Sequence, residues 1–180
     1  VDLRVGLDRD PATVNQQSRI PGRVFEDLII LGSATNQEYA SAPGDIRASN
    51  VPPGALVWTF HTVPRPGEFG YDTWPPDAWK TVGGANNWAE QSIDEKRGIV
   101  YIPTGSPKYN FYGGNRHGAN LFGDCLIALD VRTGKRLWHF QTVHHDIWDL
   151  DNNSAPQLTT IRRDGKTIDV VATASKTGYL

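Results

Sequence analysis

The sequence predicts an all-β protein built from a repeated sheet unit, and three observations support this prediction. Short apolar runs recur along the 180 residues and are bounded by Gly, Pro, Asn or Asp, as is typical of strands and turns. One segment of the chain occurs twice, and no segment has the periodicity of a convincing amphipathic helix. Short strands with Gly- and Pro-rich loops fit a sandwich, a barrel or a propeller, but only a propeller repeats the same four-stranded unit radially.

The repeated segment is centred on two tryptophans. GALVWTFHTV (54–63) and GKRLWHFQTV (134–143) share Gly, Trp, Phe, Thr and Val at matching positions, at an offset of 80 residues. An alanine and an Asn or Asp upstream also coincide, so both copies read Ala-x-(Asp/Asn)-x-x-x-Gly-x-x-x-Trp. Each copy is predicted to be a hairpin, because apolar residues alternate into a Gly-bearing turn and out through a strand rich in Trp, Phe, Val and Thr.

Other apolar runs predict further strands. DLIILGS (27–33), GIVYIPTG (98–105) and DVVATAS (169–175) recur at spacings of about 71 residues and are predicted to be buried central strands, each opening a new sheet. The segment ANNWAEQSIDEKRG (85–98) reads equally as a helix or as a strand that ends in a turn.

Long loops are predicted between these strands, at 62–86 and 106–122. Loops of this length usually serve binding or cover a site. Trp74 and Trp79 lie in the first loop, which is rich in proline, and they either cover a site or pin the loop.

Composition argues against several classes of partner. The chain has 18 Lys and Arg against 20 Asp and Glu, with no long block of either sign, so a neutral small molecule fits better than nucleic acid or an anionic membrane. Cys125 is the single cysteine, which excludes an intrachain disulfide and a thiolate metal cluster. The chain has no methionine, begins at Val1 in a polar segment and stops at Leu180 directly after an apolar run, so we expect it to be an excerpt of a longer polypeptide.

A set of motifs, each unspecific alone, is specific in combination. The motifs are TGK (133–135) followed by Trp138, HHDIWDLD (144–151), GGANNW (83–88), YIPTGSP (101–107) and SKTG (175–178). Together they resemble the quinoprotein dehydrogenases that use pyrroloquinoline quinone (PQQ), most closely the sugar-oxidising, glucose-dehydrogenase-like branch. The resemblance runs from about Val24 to Leu180.

The resemblance implies an eight-bladed β-propeller in which the repeat around each tryptophan locks neighbouring blades together. This chain is then a fragment of such a propeller, with about two blades and the start of a third. We expect a partial propeller domain over 1–180, with blade segments at about 24–61, 87–143 and 153–180.

The motif HHDIWDLD holds the candidate catalytic residue. Three aspartates in a loop are by default solvated carboxylates or Asx-turn acceptors, and we expect that of two of them. The resemblance singles out the aspartate directly after Trp148 and so places the catalytic base at Asp149. Oxidation of an alcohol to a carbonyl releases a hydroxyl proton together with a hydride, and a carboxylate that stays ionised is able to take that proton.

The two histidines of the motif do not predict a metal site. His144 and His145 are adjacent, so on a strand they point to opposite faces, and no HExxH motif or Cys pair supports zinc. Either one histidine packs against or caps the loop, or, as the resemblance implies, both belong to the substrate rim.

The resemblance also implies cofactor-binding residues. Lys176 would contact the quinone oxygens, where an ammonium stabilises negative charge that develops as hydride arrives, although a turn lysine in solvent is the ordinary alternative. Trp88, which closes GGANNW, would lie under the planar ring of PQQ. Thr104 is a further candidate for cofactor binding.

A calcium ion is implied as a second cofactor, and calcium prefers six to eight oxygen ligands. Glu38 resembles the family's glutamate ligand in position, with a surface loop acid as the alternative. Alcohol-oxidising relatives carry an asparagine ligand where this chain has Ser106, so Thr104, Ser106 or a neighbouring carbonyl would have to replace it.

The sequence therefore predicts PQQ-dependent oxidation of a sugar or polyol in the periplasm, with electrons passed to a membrane quinone or a cytochrome. One alternative is a non-catalytic propeller of the same repeat family, a scaffold in outer-membrane assembly, which has the docking tryptophans but no reason to hold Asp149, Lys176 and Trp88 together. A hydrolase or metalloenzyme built on His144 and His145 is the other alternative.

Overall fold

Almost all regular structure in the computed structural model, which describes all 180 residues, is β-sheet. Two antiparallel sheets have four strands each, and two further sheets have two strands each. A 3-10 turn at Tyr71–Thr73 and a helix at Ala78–Thr81 are the only helical segments. The predicted all-β propeller fragment is confirmed. The strands are β1 (Gln16–Gln17), β2 (Arg23–Phe25), β3 (Leu28–Leu31), β4 (Ala34–Thr35), β5 (Ile46–Asn50), β6 (Leu56–Phe60), β7 (Ser92–Asp94), β8 (Ile99–Pro103), β9 (Cys125–Asp130), β10 (Arg136–Gln141), β11 (Gln157–Arg163) and β12 (Lys166–Ala172).

The two four-stranded sheets have the same simple order. The first sheet runs β2-β3-β5-β6 and the second runs β7-β8-β9-β10, so each strand pairs with the next strand of its own sheet. Strand β4 is not part of the first sheet. It pairs with β1, which brings the N-terminal segment close to the segment that follows β3. That segment borders the candidate site described below.

The repeated sequence has the same register in both sheets. Ala48 pairs with Trp58 in the first sheet, and Ala128 pairs with Trp138 in the second. Both strand pairs also contain an irregularity next to this position. The match between the two segments therefore reflects one hairpin geometry that is used twice.

Trp58 joins the two sheets. Its indole nitrogen donates a hydrogen bond to the carbonyl of Val131, in the turn between β9 and β10 of the second sheet, at 3.1 Å. A Cβ built on Gly134 would lie 2.6 Å from the Trp58 ring, so the repeat's glycine lets the ring pack flat on the turn. Around this joint lies the main apolar core, to which both sheets contribute, for example Ile46 and Ile127. Burial of these side chains is the main favourable contribution to the packing of the sheets.

Trp138 and the third hairpin are much more exposed. Trp138 has 38% of its surface exposed, against 8% for Trp58, and contacts Tyr101 with ring centroids 5.8 Å apart. Strands β11 and β12 pair along seven residues, from Gln157 opposite Ala172 to Arg163 opposite Lys166, but all of β11 is exposed.

The apolar runs do not open their sheets as predicted. The runs at 27–33, 98–105 and 169–175 contain β3, β8 and β12, and each is the second strand of its sheet, after β2, β7 and β11. The sequence signal missed β2 because it has only three residues. The third run is also less buried than predicted, since no sheet covers it on one side. The segment 85–98 contains strand β7 and a turn, so its interpretation as a strand was right.

Trp74 connects the two long loops, 62–86 and 106–122. Trp74 is buried, packs against Val63 and Val82, and donates a hydrogen bond from its indole nitrogen to the carbonyl of Leu121 in the second loop, at 3.1 Å. Trp79 lies between the cationic groups of neighbouring side chains at the surface. Both tryptophans thus pin the loop, which was one of the two predicted roles. No helix in the chain is long and apolar enough to cross a membrane.

Candidate active site

A polar cleft of about 230 Å³ lies where strand β4, the segment 83–88, the loop 106–122 and the C-terminal end of the motif 144–151 meet Lys176. Three of its lining residues are cations, two are carboxylates, and three of the other six carry amides. The lining residues are Arg19, Ala34, Thr35, Gln37, Asn86, Trp88, Lys108, Asn110, Asp149, Asp151 and Lys176.

Backbone hydrogen bonds fix the walls of the cleft. The amide of Gly105 donates to the carbonyl of Asn86, and the amide of Ala85 donates to the carbonyl of Ser106, so the segments 83–88 and 104–108 run side by side. A Cβ at Gly105 would lie 3.0 Å from the Trp88 ring nitrogen and closer still to the Asp151 carboxylate. The glycine therefore permits the close approach of an aromatic ring and an acid at the base of the cleft.

Lys176 binds two carboxylates at once. Its ammonium lies 2.6 Å from Asp149 Oδ2 and 2.6 Å from Asp151 Oδ2. Its backbone amide also donates to the carbonyl of Asp151, at 3.0 Å, which fixes the position of the lysine along the chain. Burial alone would lower the pKa of Lys176, but the hydrogen bonds from the ammonium to Asp149 and Asp151 outweigh it, and the pKa is raised. The ammonium is therefore a fixed positive charge of the cleft.

Asp149 is the accessible carboxylate of this group. Its side chain is 25% exposed, against 7% for Asp151. The amide nitrogen of Asn110 donates to its other oxygen, Oδ1. Asp149 has a left-handed backbone conformation with φ of 58°, which a short polar side chain tolerates better than most. Such conformations are enriched at functional sites, where the surrounding structure holds them in place.

Trp88 and Lys108 form part of the remaining wall. The Lys176 ammonium lies 5.9 Å from the centroid of the Trp88 ring. Lys108 is buried, and its ammonium donates to Asn110 Oδ1 at 2.8 Å. Burial lowers the pKa of Lys108, while the nearby carboxylates of Asp151 and Asp149 oppose this effect. Asn110 therefore connects a buried lysine to the accessible aspartate.

Asp146, the first aspartate of the motif, has a different role. Its side chain is 1% exposed and accepts hydrogen bonds from the backbone amides of Trp148, at 2.9 Å, and Leu150, at 2.8 Å. The hydroxyl of Ser106 donates to the same carboxylate. Asp146 thus shapes the loop that presents Asp149. Asp146 has the predicted Asx-turn geometry but is buried. Asp151 is also buried and is bound to Lys176, so it is not a solvated loop acid.

Asp124 is a second buried acid below this loop. Its Oδ1 lies 3.1 Å from the Ser106 hydroxyl, and its Oδ2 has no hydrogen-bond partner. Burial raises the pKa of Asp124 to about 8, and the nearby charges of Asp146 and Asp151 add to the effect. Asp124 is therefore mainly protonated at neutral pH.

The two histidines lie outside the cleft. His144 is exposed and has no hydrogen-bond partner, while the ring nitrogen Nδ1 of His145 donates to the carbonyl of Gly118, at 2.8 Å. His145 therefore anchors the loop 106–122 to the motif, as one of the two alternatives predicted. Neither side chain contributes to the lining of the cleft, and the rim role of the two histidines stays a prediction.

The predicted calcium ligands do not converge. Glu38 is exposed and its carboxylate has no partner in the cleft, although its neighbour Gln37 lines it. Thr104 is fully buried, and its hydroxyl donates to the carbonyl of Phe122 at 2.6 Å and accepts the amide of Cys125 at 3.0 Å. The hydroxyl of Ser106 forms hydrogen bonds with the carboxyl groups of Asp146 and Asp124. No group of three or more His, Cys, Asp or Glu side chains is arranged to hold a metal ion.

Sequence reasoning missed several residues of the cleft. Asp151 and Asn86 had a usable signal, because Asp151 lies two residues after Asp149 in the same motif and Asn86 lies two residues before Trp88 in GGANNW. The others lie in loops or in the N-terminal segment and reach the cleft only through the tertiary fold. They are Arg19, Gln37, Lys108 and Asn110.

Comparisons with known proteins agree on one family. The family model described as "PQQ: Glucose/ethanol/alcohol dehydrogenase, beta-propeller domain" matches residues 1–180. Quinoprotein glucose dehydrogenase A of Acinetobacter calcoaceticus is 32% identical over 88% of this chain and 20% of that protein. The quinate/shikimate dehydrogenase (quinone) of Acinetobacter baylyi is 36% identical over 99% of this chain and 22% of that protein. The chain thus spans about a fifth of the length of these curated relatives.

Solved structures show the same fold. The crystal structure of quinohemoprotein alcohol dehydrogenase from Comamonas testosteroni superposes with a TM-score of 0.75 and 28% sequence identity. The match covers 86% of this chain and 25% of that one. The two four-stranded sheets described above are therefore similar to a part of a larger propeller.

Proposed function

This chain belongs to the family of PQQ-dependent glucose, ethanol and alcohol dehydrogenases with a β-propeller domain, and from this premise we propose that it carries the catalytic base of a dehydrogenase that oxidises a sugar or polyol. One observation carries the proposal. Asp149, Lys176 and Trp88, which lie far apart in the sequence, line one cleft. A non-catalytic scaffold with the same repeats has no need for this arrangement.

The lining of the cleft fits an anionic, planar quinone. Arg19, Lys108 and Lys176 supply positive charge, and the amides of Asn86 and Asn110 supply hydrogen-bond donors. The indole of Trp88 supplies an aromatic surface against which a flat ring is able to stack. Trp88 and Lys176 would therefore hold PQQ, whereas Thr104 is too deeply engaged in backbone contacts to reach it.

The bound quinone would supply an electrophilic carbon that accepts a hydride from the substrate. Asp149 takes the hydroxyl proton of the substrate in this proposal. Its partial exposure lets a substrate hydroxyl approach, and the ammonium of Lys176, 2.6 Å from Oδ2, holds the carboxylate in place. The bond to Asn110 fixes the carboxylate so that it is oriented before the substrate arrives.

Lys176 has two effects that follow from its position. The ammonium balances the negative charges of Asp149 and Asp151, which would otherwise repel each other and an anionic cofactor. A fixed positive charge next to the cleft also stabilises negative charge that develops on a quinone oxygen. Asp151, which is buried and binds the same ammonium, holds Lys176 in place.

Calcium is not assigned a role in this chain. Glu38, Thr104 and Ser106 do not present their oxygens to a common point, so no step is derived through the ion. The proposal further includes a periplasmic location and a membrane quinone or cytochrome as the electron acceptor. These two parts rest on the resemblance to the family alone.

Reconstitution of the full-length enzyme that contains this chain tests the proposed function. The protein is mixed with PQQ, with and without calcium, and reduction of an artificial dye is followed with glucose, ethanol and quinate as substrates. We expect PQQ-dependent dye reduction with glucose. Tight binding of PQQ without dye reduction by any of the three substrates would contradict the proposal, and cell fractionation checks the location.

A further inference from the structure

Arg116 is a fully buried arginine whose guanidinium donates only to neutral acceptors. It donates to the carbonyls of Tyr109, at 2.8 Å, and Asp146, at 2.6 Å, and to Oδ1 of Asn120, at 2.7 Å. Burial lowers the pKa of Arg116, while the nearby acidic groups of Asp146 and Asp124 oppose this effect. A guanidinium stays charged in proteins, and a buried charge without a close ionic partner is costly. The groups that this costly side chain holds together are therefore informative.

The two carbonyls belong to the two segments that support the carboxylate of Asp149. Tyr109 directly precedes Asn110, whose side-chain amide donates to Asp149 Oδ1. The carboxylate of Asp146 accepts the backbone amides of the residues on either side of Asp149. Arg116 thus binds the chain next to each of these supports.

We propose that Arg116 is a positioning residue for the proposed base. Its guanidinium fixes the separation between the loop 106–122 and the motif 144–151, so that Asn110 is held where it orients the carboxylate of Asp149. This inference rests on the proposed function, because it takes Asp149 as the base. Arg116 does not line the cleft, so it acts only through the residues that it holds.

The chemistry of arginine suits this position better than that of lysine. The nitrogen Nη2 has two hydrogens and donates to both carbonyls, while Nη1 donates to Asn120. The amide nitrogen of Asn120 donates in turn to the carbonyl of Arg116, at 2.6 Å, which fixes the plane of the guanidinium. A lysine side chain is one atom shorter and has no planar fork, so it would not hold both carbonyls in the same geometry.

The precision that catalysis requires makes this arrangement consequential. A displacement of about 1 Å at a reacting group is able to cost ~10² in rate, even when the cause lies away from the chemistry. Bonds from a charged donor are about twice as strong as those between neutral groups, so Arg116 resists such a displacement more than a neutral side chain would.

Kinetics of full-length, PQQ-loaded Arg116→Lys enzyme test the inference. The variant should lower kcat for glucose by ~10–10², with little change in KM or in PQQ content, because the orientation of a base matters in the transition state. Arg97→Lys is the matched control, since Arg97 pairs with Asp94 and Asp169 and does not line the cleft. It should leave kcat per bound PQQ unchanged, and an equal loss of kcat in the two variants would contradict a specific role for Arg116.

A double-mutant cycle distinguishes positioning from a general effect on folding. Asn110→Ala removes the amide through which Arg116 is proposed to act. In single-turnover reduction of bound PQQ, Arg116→Lys should therefore slow the Asn110→Ala enzyme much less than it slows the wild type. Effects of the two substitutions that multiply fully would show that they act independently, and they would overturn the inference.

A second variant keeps the test decisive if Arg116→Lys does not fold. Asn120→Gly leaves the guanidinium in place but removes the amide that orients it, and glycine tolerates the φ of 55° at this position. It should lower kcat in the same direction, and an unchanged kcat would overturn the inference.

The same measurements separate this inference from the proposed function. If Asp149→Asn reduces bound PQQ slowly but Arg116→Lys does so at the wild-type rate, Arg116 is not a positioning residue and the proposed function stands. Reduction at the wild-type rate in Asp149→Asn would instead contradict the proposed function.

Discussion

Two pairs of aspartates lie in neighbouring parts of this structure, and in each pair two carboxyl groups contact the same donor side chain. The donor is neutral in one pair and positively charged in the other. Asp124 and Asp146 are buried and meet at the hydroxyl of Ser106. Asp149 and Asp151 meet at the ammonium of Lys176. A hydroxyl has one proton to donate and no charge, whereas an ammonium has three donors and a positive charge.

The number of donors distinguishes the two pairs. Ser106 is able to donate to only one of its two carboxyl groups, so the other contact needs a proton on Asp124, in agreement with its raised pKa of about 8. Lys176 donates to both of its carboxylates and compensates one of their charges. The first pair is thus suited to hold a loop, and the second places a carboxylate at a surface where a substrate is able to approach.

Asp149→Asn should have the largest effect on catalysis. The amide keeps the size and most hydrogen bonds of the side chain but removes the proton acceptor, and loss of a general base typically lowers turnover by ~10²–10⁴. Steady-state dye reduction by the full-length enzyme, normalised to its PQQ content, measures the effect. Asp146→Asn is the matched control within the same motif and should retain far more turnover per folded molecule.

Lys176→Ala should have the second-largest effect on catalysis. It removes the positive charge beside the cleft, and loss of one group that stabilises developing negative charge typically costs ~10²–10³ in rate. Binding of PQQ should also weaken, which a titration followed by absorbance measures. Lys135→Ala, in a turn of the second sheet, is the control, and equal loss of activity in the two variants would argue against a specific role for Lys176.

Asp146→Ala should act on stability. The substitution leaves the backbone amides of Trp148 and Leu150 and the buried hydroxyl of Ser106 without their acceptor, and a buried group left unsatisfied costs about 1–3 kcal/mol. The measurement is the denaturant midpoint of the full-length enzyme. A denaturant midpoint unchanged from that of the wild type would show that the carboxylate does not support the loop.

Asp124→Asn should have the smallest effect, and it should depend on pH. The folded-state pKa is raised above the unfolded value, so the contribution of Asp124 to stability is complete below the unfolded pKa of ~3.9 and is lost as pH rises through about 8. Asparagine resembles the neutral acid at every pH. Between pH 6 and pH 9 the wild type should therefore lose more thermal stability than the variant, which melting curves across this range test.

The sequence predicted the fold in considerable detail because the fold depends on local patterns. The repeat around Trp58 and Trp138 predicted hairpins, and these have one register in both sheets. The same pattern did not reveal the short strand β2, because three residues carry too little periodicity. It also did not show that Trp138 is half exposed while Trp58 is buried, since exposure depends on the neighbouring sheet and not on the repeat itself.

The candidate site was less predictable than the fold. Asp149, Lys176 and Trp88 were identified through motifs that resemble a known family, and the structure brings them together. Lys108 and Asn110 carry no motif, and their contacts depend on the path of a long loop. Glu38 stays a prediction as a calcium ligand. Its neighbour Gln37 lines the cleft, and a sequence pattern does not fix the direction of a loop side chain.

The most direct test of the account is single-turnover reduction of bound PQQ by substrate in full-length Asp149→Asn enzyme, beside the wild type and Asp146→Asn. Loading with PQQ is checked by absorbance and folding by the melting temperature, so only the chemical step is compared. The account predicts a normal PQQ content in Asp149→Asn with reduction slowed by ~10²–10⁴, and a much smaller change in Asp146→Asn. Reduction at the wild-type rate in Asp149→Asn would contradict the assignment of Asp149 as the base.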